Sequence, residues 1–455
     1  MVQTSIFKTQ IALSDYSYRR DIEHRVLISH LTVFEVEVLK EILHETLIIP
    51  IDQLAQNLEV EQSKLLPILD SLSRIKLFKR KDQTLIVDKE LRKYYESQME
   101  KFETDFEPNL EFLQSLLSKV PVHALLVWYP IQRSSNNIFS SIIEQCLFTP
   151  KIYRQYLYEL EFEDPILHFI KEDLYLSPDY KLCSKQIIAK YQLTREKFEE
   201  YLLLLEYHLV CCLTYNKIGD EWVEVVSPFS EWLEYLQFEA NARPKKIQDQ
   251  KSIKSPCSNE FGFLDDLTTI IKAWQKQASP IKQVKKLNLS DEIQFKALES
   301  KLNQLGYVKK GSKGASVVPT EKGLIWATKP LQDKISSMAV DPLNLISGFE
   351  DSPLWSVRNV RLIEKCLRSL KPLEWVYLDD FLKGVSAAIG DKEPIQLKKR
   401  GKKWKYSIPE YDANELEFIR KVIMERCFEL GIVMIGQQKG RACLYLTPSG
   451  HQFIH

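Results

Sequence analysis

Two stretches of this chain, Leu305-Gly306-Tyr307-Val308 and Leu430-Gly431-Ile432-Val433, run the same course. A long amphipathic helix is stopped by a glycine and turned directly into an apolar strand. Glycine suits that corner because it adopts the left-handed conformation that closes a helix without a β-carbon penalty. A polar tip follows in each, Gly311–Ser316 and Gly436–Arg441, and then a short apolar return, Val317–Val318 and Leu444–Leu446. Both end in a turn with Thr and Gly, Pro319-Thr320-Glu321-Lys322-Gly323 and Thr447-Pro448-Ser449-Gly450. Agreement at separate points along the chain is far harder to reach by chance than one helical pattern. The repeated unit is therefore a long helix, a short helix, a polar turn, a second long helix and two strands.

Earlier in the chain the same order recurs. In the first copy, Leu31–Glu45 places Phe34, Val38 and Ile42 at helical spacing. Ile51–Leu58 is the short helix, and Glu61–Ile75 buries Leu65, Leu69 and Leu72, with Pro67 predicted to kink it. A hairpin of Leu77–Phe78 and Thr84–Val87 closes the unit. The second copy uses Asp164–Leu176, Ser184–Tyr191 and a third helix capped by Thr194 that buries Phe198, Leu202, Leu205 and Leu209. In the third, Leu264–Gln277 and Ile281–Leu287 precede a helix capped by Ser290, with Phe295, Leu298, Leu302 and Leu305 on one face. In the fourth, Asp412 and Glu415 have capping-box spacing ahead of Leu416, Ile419, Ile423, Cys427 and Leu430.

The predicted fold is mainly α with small antiparallel wings. Residues 1–100 form the first unit, 101–163 a helical connector, 164–242 the second unit and 243–258 a linker. Residues 259–335 form the third unit, 336–356 a linker and 357–455 the fourth unit, which carries a basic insertion at 390–411. Each unit resembles a winged-helix domain, most closely in the late pair with their Leu-Gly-Tyr/Ile-Val corner and their Thr…Gly ending. The Thr447-Pro448-Ser449-Gly450 ending is also similar to winged-helix regions that accompany XPB-type helicases. The resemblance implies a superfamily whose members include transcription factors, helicase accessory domains and protein-binding modules.

The sequence offers little catalytic chemistry. His44-Glu45-Thr46-Leu47-Ile48 begins like a zinc-protease helix but lacks the second histidine. Gly306–Gly311 has the gap of a phosphate loop, but Ser312-Lys313 stands where Lys-Ser/Thr is required. The first of only 14 glycines is Gly219, so neither a phosphate loop nor a dinucleotide turn fits in the preceding residues. The eight histidines and eight cysteines show no ligand spacing and no CxxC pair; His208 and most of the thiols read as core residues. Asp265-Asp266 and Asp379-Asp380 lie near helix starts, where carboxylates stabilise exposed N–H groups. No enzyme, metal or cofactor is expected. Met1–Ala12 lacks an apolar secretory core, and no apolar run approaches the roughly 20 residues that span a bilayer. A cytoplasmic protein is expected.

Charge divides the chain. Lys plus Arg and Asp plus Glu are both 62, yet residues 1–250 carry a net −10 and residues 251–455 a net +10. In the first two copies the third helix carries Glu59 and Glu61, then Glu196, Glu199 and Glu200, which would repel phosphate. The third copy offers Lys282, Lys285 and Lys286 on its second helix and Lys309, Lys310 and Lys313 on its wing. The insertion of the fourth contains Lys398, Lys399, Arg400, Lys402, Lys403, Trp404, Lys405 and Tyr406. Cations interleaved with aromatics suit phosphate neutralisation plus stacking; an acidic protein surface or a solvated loop would use the same composition. The first expectation is a non-enzymatic, transcription- or chromosome-associated protein. It would hold nucleic acid, duplex DNA first, through residues 259–455, and a protein partner or a second copy through residues 1–242. The alternative is an interaction scaffold whose units all bind protein. An enzyme of unfamiliar chemistry comes third.

Overall fold

The computed structural model describes residues 11–129, 131, 137–276, 292–311, 317–401 and 403–454. It is mainly helical with small antiparallel sheets, and it divides into two compact units. The first contains residues 1–236 and Gln396–Tyr406; the second contains Gln237–Ile395 and Ser407–His455.

The first unit opens with α1 (Tyr18–Ile28) and α2 (Val33–His44), whose start is fixed by a complete Thr32/Glu35 capping box. Then come β1 (Ile48–Pro50), α3 (Ile51–Asn57), α4 (Gln62–Leu72), β2 (Phe78–Lys81) and β3 (Thr84–Val87). Val38, Ile42, Leu65, Leu69 and Leu72 are buried as their periodicity predicts, and Pro67 lies inside α4. After α5 (Lys89–Met99), residues 101–163 supply α6 (Leu110–Leu117), α7 (Val122–Trp128), α8 (Ile138–Ile142) and α9 (Pro150–Glu159). The order of the first copy then returns: α10 (Pro165–Leu176), β4 (Leu182–Cys183), α11 (Ser184–Tyr191), α12 (Arg195–Tyr207), β5 (Cys212–Ile218) and β6 (Glu221–Ser227). Thr194 caps α12 by accepting the Lys197 N–H at 3.2 Å. The unit boundary falls within α13 (Ser230–Ala242).

In the second unit, α14 (Gly262–Gln275), α15 (Glu292–Gln304), β7 (Val308–Lys310) and β8 (Val317–Pro319) are followed by α16 (Glu321–Thr328) and α17 (Leu331–Ala339). Next come α18 (Val357–Cys366), β9 (Val376–Tyr377), α19 (Leu378–Lys383) and the hairpin β10 (Leu397–Arg400) with β11 (Lys403–Tyr406), which belongs to the first unit. The chain then returns through α20 (Ala413–Lys421), which continues as a π turn over Val422–Cys427, and β12 (Val433–Gln438), β13 (Arg441–Leu446) and α21 (Pro448–Ile454).

Sequence periodicity predicts helix–helix–helix–strand–strand; the structure adds a strand between the first two helices in three copies. These strands, β1, β4 and β9, are only two or three residues long, too short for an alternating pattern to show. Each pairs with the last strand of its copy, so all three sheets share one order: β1-β3-β2, β4-β6-β5 and β9-β13-β12.

The matched Thr and Gly positions have a mechanical cause. Gly306 and Gly431 sit at φ +69° and +72°, the left-handed region in which many helices stop and which glycine adopts without a β-carbon penalty. The Thr320 hydroxyl donates to the Gly306 carbonyl at 2.8 Å and accepts the Gly323 N–H at 3.1 Å. Thr447 does the same to Gly431 at 2.6 Å and Gly450 at 2.8 Å. A β-carbon on Gly323 would lie 2.2 Å from the Tyr307 carbonyl oxygen, and one on Gly450 2.0 Å from that of Ile432. The helix after each hairpin is thus locked onto the corner before it. The Thr447-Pro448-Ser449-Gly450 ending is a helix start with a packing role.

The expected linkers are also built in. Ile247 donates to Trp375 O and Lys254 to Gln437 O, while Gln438 Nε2 donates to Asp249 O at 2.6 Å, along the fourth copy's sheet. Leu345, Ile346 and Phe349 are buried in the second unit's core. Their apolar residues follow no helical or strand period, so the sequence conceals them.

Candidate functional site

The basic insertion folds as the ribbon β10–β11 and packs within the first unit. Register pairs Leu397 with Tyr406, Lys398 with Lys405, Lys399 with Trp404 and Arg400 with Lys403. Leu397 donates its N–H to Phe148 O at 2.8 Å, and Tyr406, which is buried, donates its hydroxyl to Leu147 O at 2.7 Å. Its ring packs against Trp232 and Tyr235. A solvated loop would leave these groups in water; the two apolar anchors draw the ribbon in.

The ribbon's cations meet carboxylates of the same unit. Lys399 lies 3.8 Å from Glu111, Lys403 3.7 Å from Glu107 and Lys405 2.9 Å from Glu234. All are substantially exposed, and such pairs contribute about 0–1 kcal/mol each. Trp404 shares a face with Tyr406, is half-buried, and has its indole nitrogen buried. By strand alternation, Lys398, Arg400, Lys403 and Lys405 share the opposite face. The wing lysines Lys309 and Lys310 are exposed on β7. Lys282, Lys285, Lys286, Lys313 and Lys402 lie outside the described residues, as do Ile281–Leu287 and Ser290.

The third helices are the larger surprise. Glu199, expected among the third-helix carboxylates that would repel phosphate, is fully buried on α12, as is Glu206. Arg25 of α1 pairs with both, lying 3.5 Å from Glu199 and in direct contact with Glu206, and Lys101 sits 3.6 Å from Glu206. Arg195, one turn before Glu199, holds it and also reaches Glu224 at 2.6 Å. Asp21 joins through Arg25 at 3.7 Å and accepts the Tyr94 hydroxyl at 2.7 Å. Burial pushes Asp21 and Glu206 up, but neighbouring cations (Lys119 and Arg25 for Asp21, Arg25 and Lys101 for Glu206) hold both below the ordinary carboxylate range. For Glu199 burial wins over Arg195 and Arg25, and its pKa is raised.

In the second unit, α15 and the helix that begins as α20 meet through charge. Lys301 lies 3.0 Å from Glu429 with both side chains buried, and it also donates to Leu345 O at 2.9 Å. Arg426, wholly buried, donates to Glu364 of α18 at 2.8 Å. Phe428 packs on Phe263 at the start of α14. Sequence reasoning missed this face because each charged partner is supplied by a distant segment.

Among the described residues no His, Cys, Asp and Glu group is arranged to hold a metal ion. The eight cysteines are free thiols, most of them buried. His208 is buried with Nδ1 2.7 Å from Leu204 O, as expected of a core residue. Asp379 pairs with Arg420 at 2.6 Å, and Asp380 with Lys383 at 2.8 Å. Among the described residues no single helix is long and apolar enough to cross a membrane. No family model, curated protein or solved structure matches the chain.

Proposed function

We propose that this chain is a non-enzymatic interaction scaffold built from winged-helix units whose third helices serve as internal packing surfaces. The winged-helix reading is supported by the repeated order helix–strand–helix–helix–strand–strand and by the shared sheet order in three copies. One observation carries the functional reading: three third helices are occupied from within. A DNA-reading member of this class lays that helix in the major groove. Here α12 is spent on Arg25, and α15 is spent on its partner helix through Lys301 and Glu429. Faces in those pairs are unavailable to base edges, which leaves wings, ribbon and outer helix faces as the contact surfaces.

Nucleic-acid contact is the second reading, favoured by the four cations on one ribbon face and by Lys309 and Lys310. Like charges directly opposite across strands are destabilising; Glu107 and Glu234 meet Lys403 and Lys405, and phosphates would compete for the same cations. The test uses the full chain, since cutting between residues 242 and 259 would strip Gln396–Tyr406 from the unit it packs in. Titration with a labelled DNA duplex should give binding no tighter than about 10⁻⁶ M at physiological salt. Tight binding that weakens and loses salt dependence when Lys398, Arg400, Lys403 and Lys405 become Gln would overturn the scaffold reading.

A further inference from the structure

The first copy's sheet carries an outward face that its own unit leaves open. Ile48 and Ile86 are cross-strand partners on β1 and β3, and they are 61% and 42% exposed although Ile49 and Leu85 beside them are fully buried. Leu47, also exposed, precedes Ile48. On β2, Lys79 sits opposite Ile86 and Lys81 opposite Thr84. The outward face therefore reads Ile48, Ile86, Lys79 in one row and Pro50, Thr84, Lys81 in the next, with no carboxylate. Arg80, one residue away on the opposite face, pairs with Asp70 at 2.8 Å, whereas Lys79 and Lys81 make no ion pair among the described residues. Two cations without counter-charge beside adjoining aliphatics stand out in a half of the chain that is net acidic.

We infer that this face docks an acidic amphipathic segment of a partner protein, its aliphatic or aromatic side chains on Ile48 and Ile86 and its carboxylates on Lys79 and Lys81. The inference rests on the scaffold reading and names the chemistry of one partner. Charge complementarity selects this occupant. A nucleic-acid backbone would satisfy the lysines but leave the isoleucines against phosphate and sugar. A second copy would bring four lysines into one interface with no carboxylate on either face to answer them, because a two-fold interface is made of the same patch twice. Exposed apolar side chains gathered in one patch mark interaction sites where scattered ones do not.

The experiment uses the full chain with isoleucine methyl labelling, the Ile48 and Ile86 signals being assigned with Ile48→Val and Ile86→Val. The probe is a synthetic peptide alternating Glu and Leu. Comparators are poly-Glu, a peptide alternating Gln and Leu, and phosphatidylcholine vesicles containing phosphatidylserine. The Glu–Leu peptide should shift both methyl signals, and Lys79→Glu with Lys81→Glu should weaken it about tenfold, as expected for two lost charge pairs. The fold should be retained, because both lysines are exposed. No shift with the Glu–Leu peptide, equal binding of the Gln–Leu peptide, or a response to vesicles alone would each overturn the assignment. Those failures leave the scaffold reading standing, since duplex binding through the ribbon would leave these methyl signals unmoved.

Discussion

Gly450→Ala sets two well-measured effects against each other. Gly450 lies in α21, where Ala is favoured over Gly by about 1 kcal/mol in a helix interior, so propensity alone predicts stabilisation. The added β-carbon would lie 2.0 Å from the Ile432 carbonyl oxygen, and that oxygen is backbone at the start of a strand region that cannot swing aside. The helix must move by more than an ångström to restore a normal contact. That movement breaks the Thr447 hydroxyl's bonds to Gly431 O and from Gly450 N, at 2.6 and 2.8 Å. Overpacking costs about 1–3 kcal/mol and the two bonds about 1 kcal/mol each, so the net loss is about 2–4 kcal/mol. Guanidinium unfolding followed by circular dichroism reads this directly. Gly323→Ala should behave alike, its β-carbon meeting Tyr307 O at 2.2 Å. Gly440→Ala, at φ +78° in open space, should lose only about 1 kcal/mol. Gly450→Ala at or above wild-type stability would refute the lock.

Arg426→Leu should destabilise by about 2–3 kcal/mol because buried Glu364 loses its buried partner and keeps only the half-exposed Arg361 at 2.8 Å, and adding Glu364→Leu should recover much of it; equal losses in single and double variants would contradict the pairing. Tyr406→Ala should destabilise the full chain by about 3–5 kcal/mol in the same unfolding assay, since it removes a buried aromatic anchor of the ribbon; an unchanged midpoint would place the ribbon outside the core. Burial lowers the His208 pKa from 6.5 to about 4, despite the opposing bond to Leu204 O. Its neutral form therefore contributes stability that is present above the unfolded value and lost as pH falls toward the folded one. From about pH 7 to pH 5 that amounts to about 2 kcal/mol, and His208→Gln should remove this share of the acid sensitivity in unfolding curves.

Long helices with a strict apolar period could be read from the sequence nearly to their ends. Ser184–Tyr191 and the Asp412/Glu415 capping box are found where expected. The glycine corners could also be read, because few residues close a helix that way. Pairings carried by distant charge could not. Nothing local to Glu199 or Glu206 announces Arg25, and nothing near Lys405 announces Glu234. A run of cations beside Trp404 and Tyr406 looks like a phosphate surface in isolation, and it takes the buried Tyr406 hydroxyl on Leu147 O to reveal a packed ribbon. Carboxylates on a third helix likewise have two fates, solvent or an internal cation, and sequence order does not separate them.

The inward-facing third helices are tested most directly by lysine acetylation of the native full chain, read by mass spectrometry site by site. Lys296 and Lys301 lie on the same helix, α15; Lys296 is exposed, whereas Lys301 is 8% exposed and paired with Glu429. Lys296, Lys309 and Lys310 should label quickly and together, while Lys301 stays unmodified until the chain unfolds. Lys301 labelling as fast as Lys296 would mean that this helix face is open to solvent, and the scaffold reading would lose the observation that carries it.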